Sequence, residues 1–164
     1  MPRVWIWLAS SAIVIALDQA SKAWILSAFK LGESMTITPF FDLVLVFNRG
    51  AAFSFLSSAA GWQRWFFVAL ALGISAWIVM MIKRHAHEWL EPLALTLVLG
   101  GALGNVIDRL MHAAVVDFLS FHIGAHYWPA FNVADSAICV GVALLLWHQF
   151  AEQRQVSSGG HQNE

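Results

Sequence analysis

Four long hydrophobic stretches run through the chain, separated by segments that are more polar or mixed in character. They are Val4–Leu26, Trp62–Ile82, Leu90–Leu110 and Ala134–Phe150. A helix needs roughly 20 apolar residues to cross a hydrocarbon core of about 30 Å. The pattern therefore predicts a mainly α membrane protein of four transmembrane helices, organised as a single domain over residues 1–164.

The segments between the helices carry a different pattern. Residues 27–61 include Phe40–Phe47, a run rich in aromatic and β-branched residues that follows Pro39 and ends at the turn signal Asn48-Arg49-Gly50. This indicates short strands, and we predict a small extracytoplasmic β-sheet, a cradle, between helices 1 and 2. A second outer segment, residues 111–131, begins with the strand-like Ala113–Phe118 and continues as a loop. The tail, residues 154–164, is rich in Ser, Gly and Gln and is predicted to be disordered.

Polar residues within the hydrophobic stretches are expected to lie on one side of the membrane. Successive helices alternate in direction, so the ends of spans one and three meet the start of span four in the same leaflet. The residues concerned are Asp18, Lys22, Asn105, Asp108, Arg109 and Asp135. Ionisable groups at this depth cost on the order of 2.5–3.5 kcal/mol each on insertion scales, which favours a functional site.

Composition and charge narrow the class further. Hydrophobic residues make up 59% of the chain, charged residues 12%, and the mean hydropathy is +0.67. The net charge of −1 provides no basic surface and excludes a nucleic-acid partner. The short loop Lys83–Trp89 begins with two bases, and the positive-inside rule then predicts that both termini are cytoplasmic and that the polar cluster lies in the outer leaflet.

Two carboxylates, Asp117 and Asp135, stand on either side of the second outer loop at the membrane border. Folding of this loop would bring them together, and two carboxylates at close range share a proton because both cannot ionise freely. The ionised member can take a proton from water while the protonated member polarises a carbonyl. The predicted chemistry is general acid–base hydrolysis of an amide.

Structural explanations compete for most of these residues. Asn132 is a candidate N-cap with Asp135 at the third helical position, where an acid complements the helix dipole. Asp18 and Lys22 have the four-residue spacing of an ion pair that ties helices together. Asn48 has ordinary turn chemistry. Small residues let helices approach closely, which is the favoured explanation for a glycine group in span three: Gly100, Gly101 and Gly104.

Other catalytic chemistries lack the required residue patterns. The histidines show no metal-ligand spacing such as His-Glu-x-x-His, so we predict no metal and no cofactor. Ser10 and Ser11 have no histidine at matching depth, and Gly-x-Ser-x-Gly is absent, which argues against a serine nucleophile.

Taken together, five sequence blocks resemble the bacterial lipoprotein signal peptidases (signal peptidase II). They occur in family order from the first span to the fourth: residues 18–22 (DQASK), 48–54 (NRGAAFS), 100–109 (GGALGNVIDR), 115–118 (VVDF) and 131–135 (FNVAD). A single Asn-x-Gly would be weak, but five ordered blocks are specific. The resemblance covers all of the chain except the tail.

The resemblance implies an aspartyl endopeptidase of the bacterial inner membrane, with its active site at the outer leaflet. Such enzymes cut a prolipoprotein N-terminal to a diacylglyceryl-modified cysteine. Asp117 and Asp135 would be the catalytic pair. The implied substrate-binding residues are Asn48, Gly50, Asn105, Arg109 and Asn132, and the implied supporting residues are Asp18, Lys22 and Asp108. The expected partners are lipidated prolipoproteins and membrane phospholipid, the expected state is a monomer, and the expected inhibitor is globomycin.

Three alternatives remain open at the level of sequence. A small transporter or ion channel would use Asp18, Lys22, Asp108 and Arg109 as a relay, although a relay needs polar residues in both leaflets. A presenilin-like protease would need Tyr-Asp and Gly-x-Gly-Asp motifs, which are absent. A structural assembly factor would not depend on the aspartates.

Overall fold

Four long helices form the body of the molecule in the computed structural model, which describes residues 3–50 and 61–159. They are α1 (Val4–Ala28), α2 (Trp62–Arg84), α3 (Leu90–His112) and α4 (Val133–Gly159). Each is long and apolar enough to cross a membrane. The prediction of a mainly α membrane protein with four transmembrane helices is confirmed.

The predicted fourth span agrees with the membrane-crossing part of α4, but the helix continues into the tail that was predicted to be disordered. The predicted span stops at Phe150 and the predicted disorder starts at Arg154, whereas the helix continues to Gly159. Residues 152–155 are Glu, Gln and Arg, which are good helix formers, so their polarity does not end the helix. The membrane-crossing part is Val133–Ala151. The predictions for residues 51–60 and 160–164 lie outside the described residues.

A four-stranded antiparallel sheet lies at one end of the helices, in the order β1-β2-β3-β4. Its strands are β1 (Ser34–Thr38), β2 (Phe41–Asn48), β3 (Val115–Ile123) and β4 (His126–Tyr127). The small sheet is confirmed, but only half of it comes from the segment between helices 1 and 2. The strand predicted from Ala113 starts later, because Ala113 has a left-handed φ of 59° and closes α3.

The sheet is attached to the helices by one hydrophobic cluster: Ile25, Leu45, Val116 and Phe118. Ile25 belongs to the last two turns of α1, Leu45 to β2, and the other two residues to β3. Successive side chains of a strand point to opposite faces. Because Val116 and Phe118 both pack into this cluster, Asp117 between them is directed to the other face of β3.

Helix α3 is the central helix of the bundle, and its glycines allow close packing. Eleven of its residues are buried, compared with four in α1 and five in α2. A Cβ at Gly100 would lie 2.6 Å from the Cβ of Val14, and one at Gly101 would overlap the carbonyl oxygen of Ala134. These two glycines let α3 approach α1 and α4, as the structural explanation predicted.

We expect Gly101→Ala to lower the free energy of unfolding by about 1–3 kcal/mol, because the added methyl group overpacks the contact with α4. Thermal unfolding of the purified protein in detergent measures this. Gly73→Ala is the matched control, since a Cβ at Gly73 meets nothing within 4 Å. A Gly101→Ala variant as stable as the control would contradict the close approach of α3 to α4.

Candidate active site

Asp117 lies on β3 and is almost fully buried, with 1% of its surface exposed. Each of its oxygens accepts one hydrogen bond. Asn48 Nδ2 donates to Oδ2 at 2.9 Å, and Asn132 Nδ2 donates to Oδ1 at 2.7 Å. Burial raises the pKa of Asp117 to about 7; the charge of Asp135 also raises it, and the two asparagine hydrogen bonds lower it. Asp117 therefore keeps its proton to a higher pH than an ordinary aspartate does.

Asp135 lies in the first turn of α4 and faces the same polar cluster. Its carboxylate accepts a hydrogen bond from Asn105 Nδ2 at 2.8 Å, which links α4 to α3. Its backbone N–H donates to Asn132 Oδ1 at 2.8 Å. Asn132 thus caps α4 with Asp135 three residues later, and the structural explanation for this pair is confirmed.

Asn132 also connects the two aspartates. Its side-chain N–H groups donate to Asp117, while its side-chain oxygen accepts from the backbone of Asp135. The residue is fully buried, so both bonds are shielded from water. One asparagine therefore holds the strand that carries Asp117 against the start of the helix that carries Asp135.

Lys22 stands at the centre of a buried charge cluster. Its Nζ lies 2.8 Å from Asp18 Oδ2, 2.8 Å from Asp108 Oδ2 and 3.1 Å from Asn105 Oδ1. Lys22 is 2% exposed, Asp18 0% and Asp108 1%. The predicted ion pair within α1 is present, and it is shared with α3. Asn105 links this cluster to Asp135.

Asp18 and Asp108 each also accept a hydrogen bond from a backbone N–H group, next to Asp135 and Asp117 respectively. Asp18 Oδ1 accepts from the N–H of Ala134 at 2.9 Å, and Asp108 Oδ2 accepts from the N–H of Val116 at 3.0 Å. Ala134 directly precedes Asp135, and Val116 directly precedes Asp117. Asp18 and Asp108 therefore fix the backbone at both positions.

Gln19 belongs to the same cluster, although its role was not predicted from the sequence. Its Nε2 donates to Asp108 Oδ1 at 2.9 Å and to the carbonyl oxygen of Gly104 at 3.2 Å. It also lies 3.2 Å from Asp18 Oδ2. The available signal was a polar amide inside a hydrophobic span, next to an aspartate already singled out.

The two remaining predicted residues lie at the edge of the site. Arg109 Nη1 donates to the carbonyl oxygen of Asn105 at 3.2 Å, and its guanidinium lies 5.2 Å from the ring centre of Phe67. The N–H of Gly50 donates to Asn48 Oδ1 at 2.9 Å. Gly50 has a φ of 100°, and a Cβ there would lie 2.9 Å from Phe67. The turn chemistry of Asn48 is confirmed, and the same side chain also holds Asp117.

An apolar groove opens beside this site, with a volume of about 250 Å³. Side chains from α2, α3 and α4 line it, among them Phe67, Ala102 and Ile138. Asn105 and Arg109 form its polar part. The groove therefore runs from an apolar surface of the helices to the polar cluster.

The fold and site together define a multi-pass membrane protein. At the border between its helices and its sheet, Asn132 links the buried Asp117 to the partly buried Asp135. A family model described as signal peptidase (SPase) II matches residues 10–151. The chain therefore belongs to the signal peptidase II family, a family of proteases.

Relatives and solved structures agree with this assignment. The lipoprotein signal peptidase of Azoarcus sp. (strain BH72) is 53% identical over 154 residues, covering 94% of this chain and 88% of the relative. That of Burkholderia thailandensis is 54% identical over 148 residues, covering 90% and 89%. A bacterial membrane enzyme solved at 2.3 Å by the in meso method superposes with a TM-score of 0.80 at 30% identity, covering 90% of this chain and 89% of that one. Another, solved at 1.9 Å, gives 0.78 at 31% identity, covering 88% and 92%.

Proposed function

We propose that this chain removes the signal peptide from diacylglyceryl-modified prolipoproteins by cutting N-terminal to the lipidated cysteine. Asp117 and Asp135 act as the general acid–base pair. The observation that carries the proposal is the bridge through Asn132, which couples two acids on different elements while burial keeps the pKa of Asp117 at about 7. The activity is consistent with the lipoprotein signal peptidases to which the chain is similar.

The pair shares one proton in the free enzyme, and Asp117 holds it. Asp135 takes a proton from a water molecule, and the water oxygen forms a bond to the scissile carbonyl carbon. Asp117 donates its proton to the carbonyl oxygen. When the C–N bond of the tetrahedral intermediate breaks, the leaving nitrogen takes the proton from Asp135 and the new carboxyl group returns one to Asp117. Water is consumed, and no covalent enzyme intermediate forms.

The surrounding residues hold the substrate and the acids. Asn105 and Arg109 stand at the polar part of the groove, where they meet the peptide backbone around the scissile bond. Two groups of residues hold the backbone beside Asp117. Asn48 and Gly50 fix the turn after β2, and Asn132 caps the start of α4. The supporting residues Asp18, Lys22 and Asp108 fix the backbone without meeting the substrate.

The position of the site suits a substrate that lies partly in the membrane. Apolar side chains of a signal peptide would contact the groove between α2, α3 and α4, while the lipid tails of the modified cysteine stay in the leaflet. With both termini in the cytoplasm, as the bases of the loop Lys83–Trp89 favour, the site faces the outer leaflet of the inner membrane. We propose that the chain acts as a monomer.

Cleavage of a synthetic precursor by the purified protein tests the function. We expect a single cut directly before the diacylglyceryl-modified cysteine, identified by mass spectrometry of both products. The same peptide with an unmodified cysteine is the matched control and should remain intact. Cleavage at another bond, or equal cleavage of both peptides, would contradict the proposed specificity.

The alkaline side of the pH profile reports on Asp117. Because the pKa of Asp117 is raised to about 7, its proton is lost as the pH rises through neutrality, and kcat/KM should fall there. The hydrogen bond from Asn48 lowers this pKa, so Asn48→Ala should move the decline to higher pH while reducing kcat/KM at its maximum. Profiles of both proteins between pH 5 and pH 9, that is about two units on either side of the wild-type transition, measure the shift. An unchanged alkaline limb would remove Asp117 as the proton donor.

A transporter or channel fits the charge distribution less well. Among residues 3–50, 61–151 and 153, the buried charged side chains are Asp18, Lys22, Asp42, Asp108 and Asp117. All of them lie in the sheet or in the half of the bundle next to it, and a relay across the membrane needs groups in the other half as well.

A further inference from the structure

The turn between α2 and α3, at the end of the bundle away from the sheet, brings three potential metal ligands together. His85 ends α2, Glu91 lies in the first turn of α3, and Glu88 lies between them. One ligand atom from each side chain can be chosen so that all three lie within 4.8 Å of one another. These residues are three apart in sequence, and the turn brings them into one cluster. None of the metal-binding motifs considered above has this spacing.

The distances within this cluster fit a small divalent cation. His85 Nδ1 lies 3.4 Å from Glu91 Oε1. Two ligands of a tetrahedral zinc ion, each about 2.0–2.1 Å from the metal, lie about 3.3–3.4 Å apart. These two side chains already have that separation. Glu88 is exposed, so its carboxylate is free to rotate inward and supply a third ligand.

His85 Nδ1 has the Glu91 carboxylate as its neighbour but makes no hydrogen bond with it. The atom is buried and takes part in no hydrogen bond within the described residues. A buried polar atom without a partner is unfavourable, and most such atoms in proteins are satisfied. Coordination of a cation would satisfy this nitrogen and would also neutralise the two carboxylates beside it.

The backbone of the turn is held in place by the first turn of α1 and by Arg3, which directly precedes it. Trp7 Nε1 donates to the carbonyl oxygen of Ala86 at 3.3 Å, and Arg3 Nη1 donates to that of His87 at 3.1 Å. Ala86 itself is buried, with 4% of its surface exposed. The ligands therefore extend from a fixed turn, which reduces the entropy that is lost when a metal binds.

We propose that His85, Glu88 and Glu91 bind one borderline divalent transition-metal ion, zinc or its analogue cobalt(II), with water completing the coordination. An imidazole with two carboxylates suits such ions, whereas magnesium and calcium prefer sites made of oxygen atoms alone. The site is separate from the acids: Glu91 and Asp108 are 17 residues apart on α3, or about 26 Å along the helix at 1.5 Å per residue. The bound ion clamps α2 to α3 at the turn and does not take part in peptide cleavage.

Metal titration of the full chain tests this site. The protein is purified without a histidine tag, stripped with a chelator, and titrated with zinc chloride by calorimetry and with cobalt chloride by visible absorption. We expect one ion per chain, a cobalt spectrum typical of low coordination number, and a higher midpoint of thermal unfolding when zinc is present. Magnesium chloride should produce none of these changes.

Three variants decide whether the named residues carry the binding. His85→Gln and Glu91→Gln should each weaken zinc affinity at least tenfold, and Glu88→Gln should do so without disturbing the fold because Glu88 is exposed. His87→Gln is the matched control, since His87 is exposed and lies outside the cluster. Absence of binding by the wild-type chain would overturn the proposal and leave an ordinary His85–Glu91 ion pair. Equal loss in His87→Gln, or full affinity in Glu88→Gln, would overturn the assignment of ligands.

Discussion

Asp117→Asn and Asp135→Asn, each made alone, are expected to lower kcat for cleavage of a lipidated precursor by at least about 10²–10⁴-fold, the range for removal of a general acid or base. Asparagine keeps the shape and the hydrogen-bonding oxygen but holds no exchangeable acid proton. The loss should therefore appear in kcat while each protein still inserts and folds. Single-turnover cleavage, together with thermal unfolding in detergent, separates the loss of chemistry from a loss of structure.

Asp42→Asn is the matched control for both variants. Asp42 is also a buried aspartate of the sheet, 5% exposed, and it pairs with His122 at 3.4 Å away from the two acids. We expect its kcat to stay near that of the wild type. Retained turnover in Asp117→Asn or Asp135→Asn would remove that residue from the acid–base pair, and an equal loss in Asp42→Asn would indicate a general sensitivity of the sheet.

Lys22→Met is expected to produce the largest loss of stability, about 3–5 kcal/mol, because it leaves two buried carboxylates without their common cation. Asp18 and Asp108 each lie 2.8 Å from the lysine nitrogen, and both are almost fully buried. Methionine fills a similar volume, so the loss measures charge and not packing. The midpoint of thermal unfolding in detergent measures it.

Lys30→Met controls for the loss of one positive charge. Lys30 is exposed just after α1, and its removal should change the free energy of unfolding by less than about 0.5 kcal/mol. Because Asp18 and Asp108 hold the N–H groups next to Asp135 and Asp117, Lys22→Met should also reduce kcat. A Lys22→Met protein as stable and active as Lys30→Met would show that the buried cluster does not support the site.

The four helices, and the side of the bundle on which the site lies, were predictable because they depend on local sequence patterns. Apolar length alone locates the four helices, and alternation of their directions brings Asp18, Asn105 and Asp135 to the same side of the bundle. The strand signal of Phe40–Phe47 likewise located β2 to within one residue. These features need no knowledge of which elements touch.

Long-range pairing was not predictable in the same way. The sequence indicated a strand at Ala113–Phe118 but not that β3 would extend to Ile123 beside β2, because that extension depends on a partner strand about 75 residues away. Gln19 was missed since its role depends on Asp108 and Gly104, which are distant in sequence. The start of the disordered tail at residue 154 was wrong because polar helix formers have the same composition as a disordered segment.

Asn132 shows why competing explanations of one residue need not exclude each other. The sequence presented the N-cap of α4 and the catalytic site as alternatives. The structure assigns its oxygen to the cap and its nitrogen to Asp117. An amide has both a donor and an acceptor, so one side chain can cap a helix and also hold the carboxylate of Asp117 in place.

Site-resolved titration of Asp117 is the most direct test of the acid–base pair. The protonated carboxyl group has its own carbonyl stretching band in the infrared, and the Asp117→Asn protein identifies that band by its loss. We predict that the band disappears with a pKa of about 7 and that Asp135→Asn moves the transition to lower pH, because a repelling charge is removed. A carboxyl group that titrates near its ordinary value of 3.8, whether or not Asp135 is present, would contradict the shared proton.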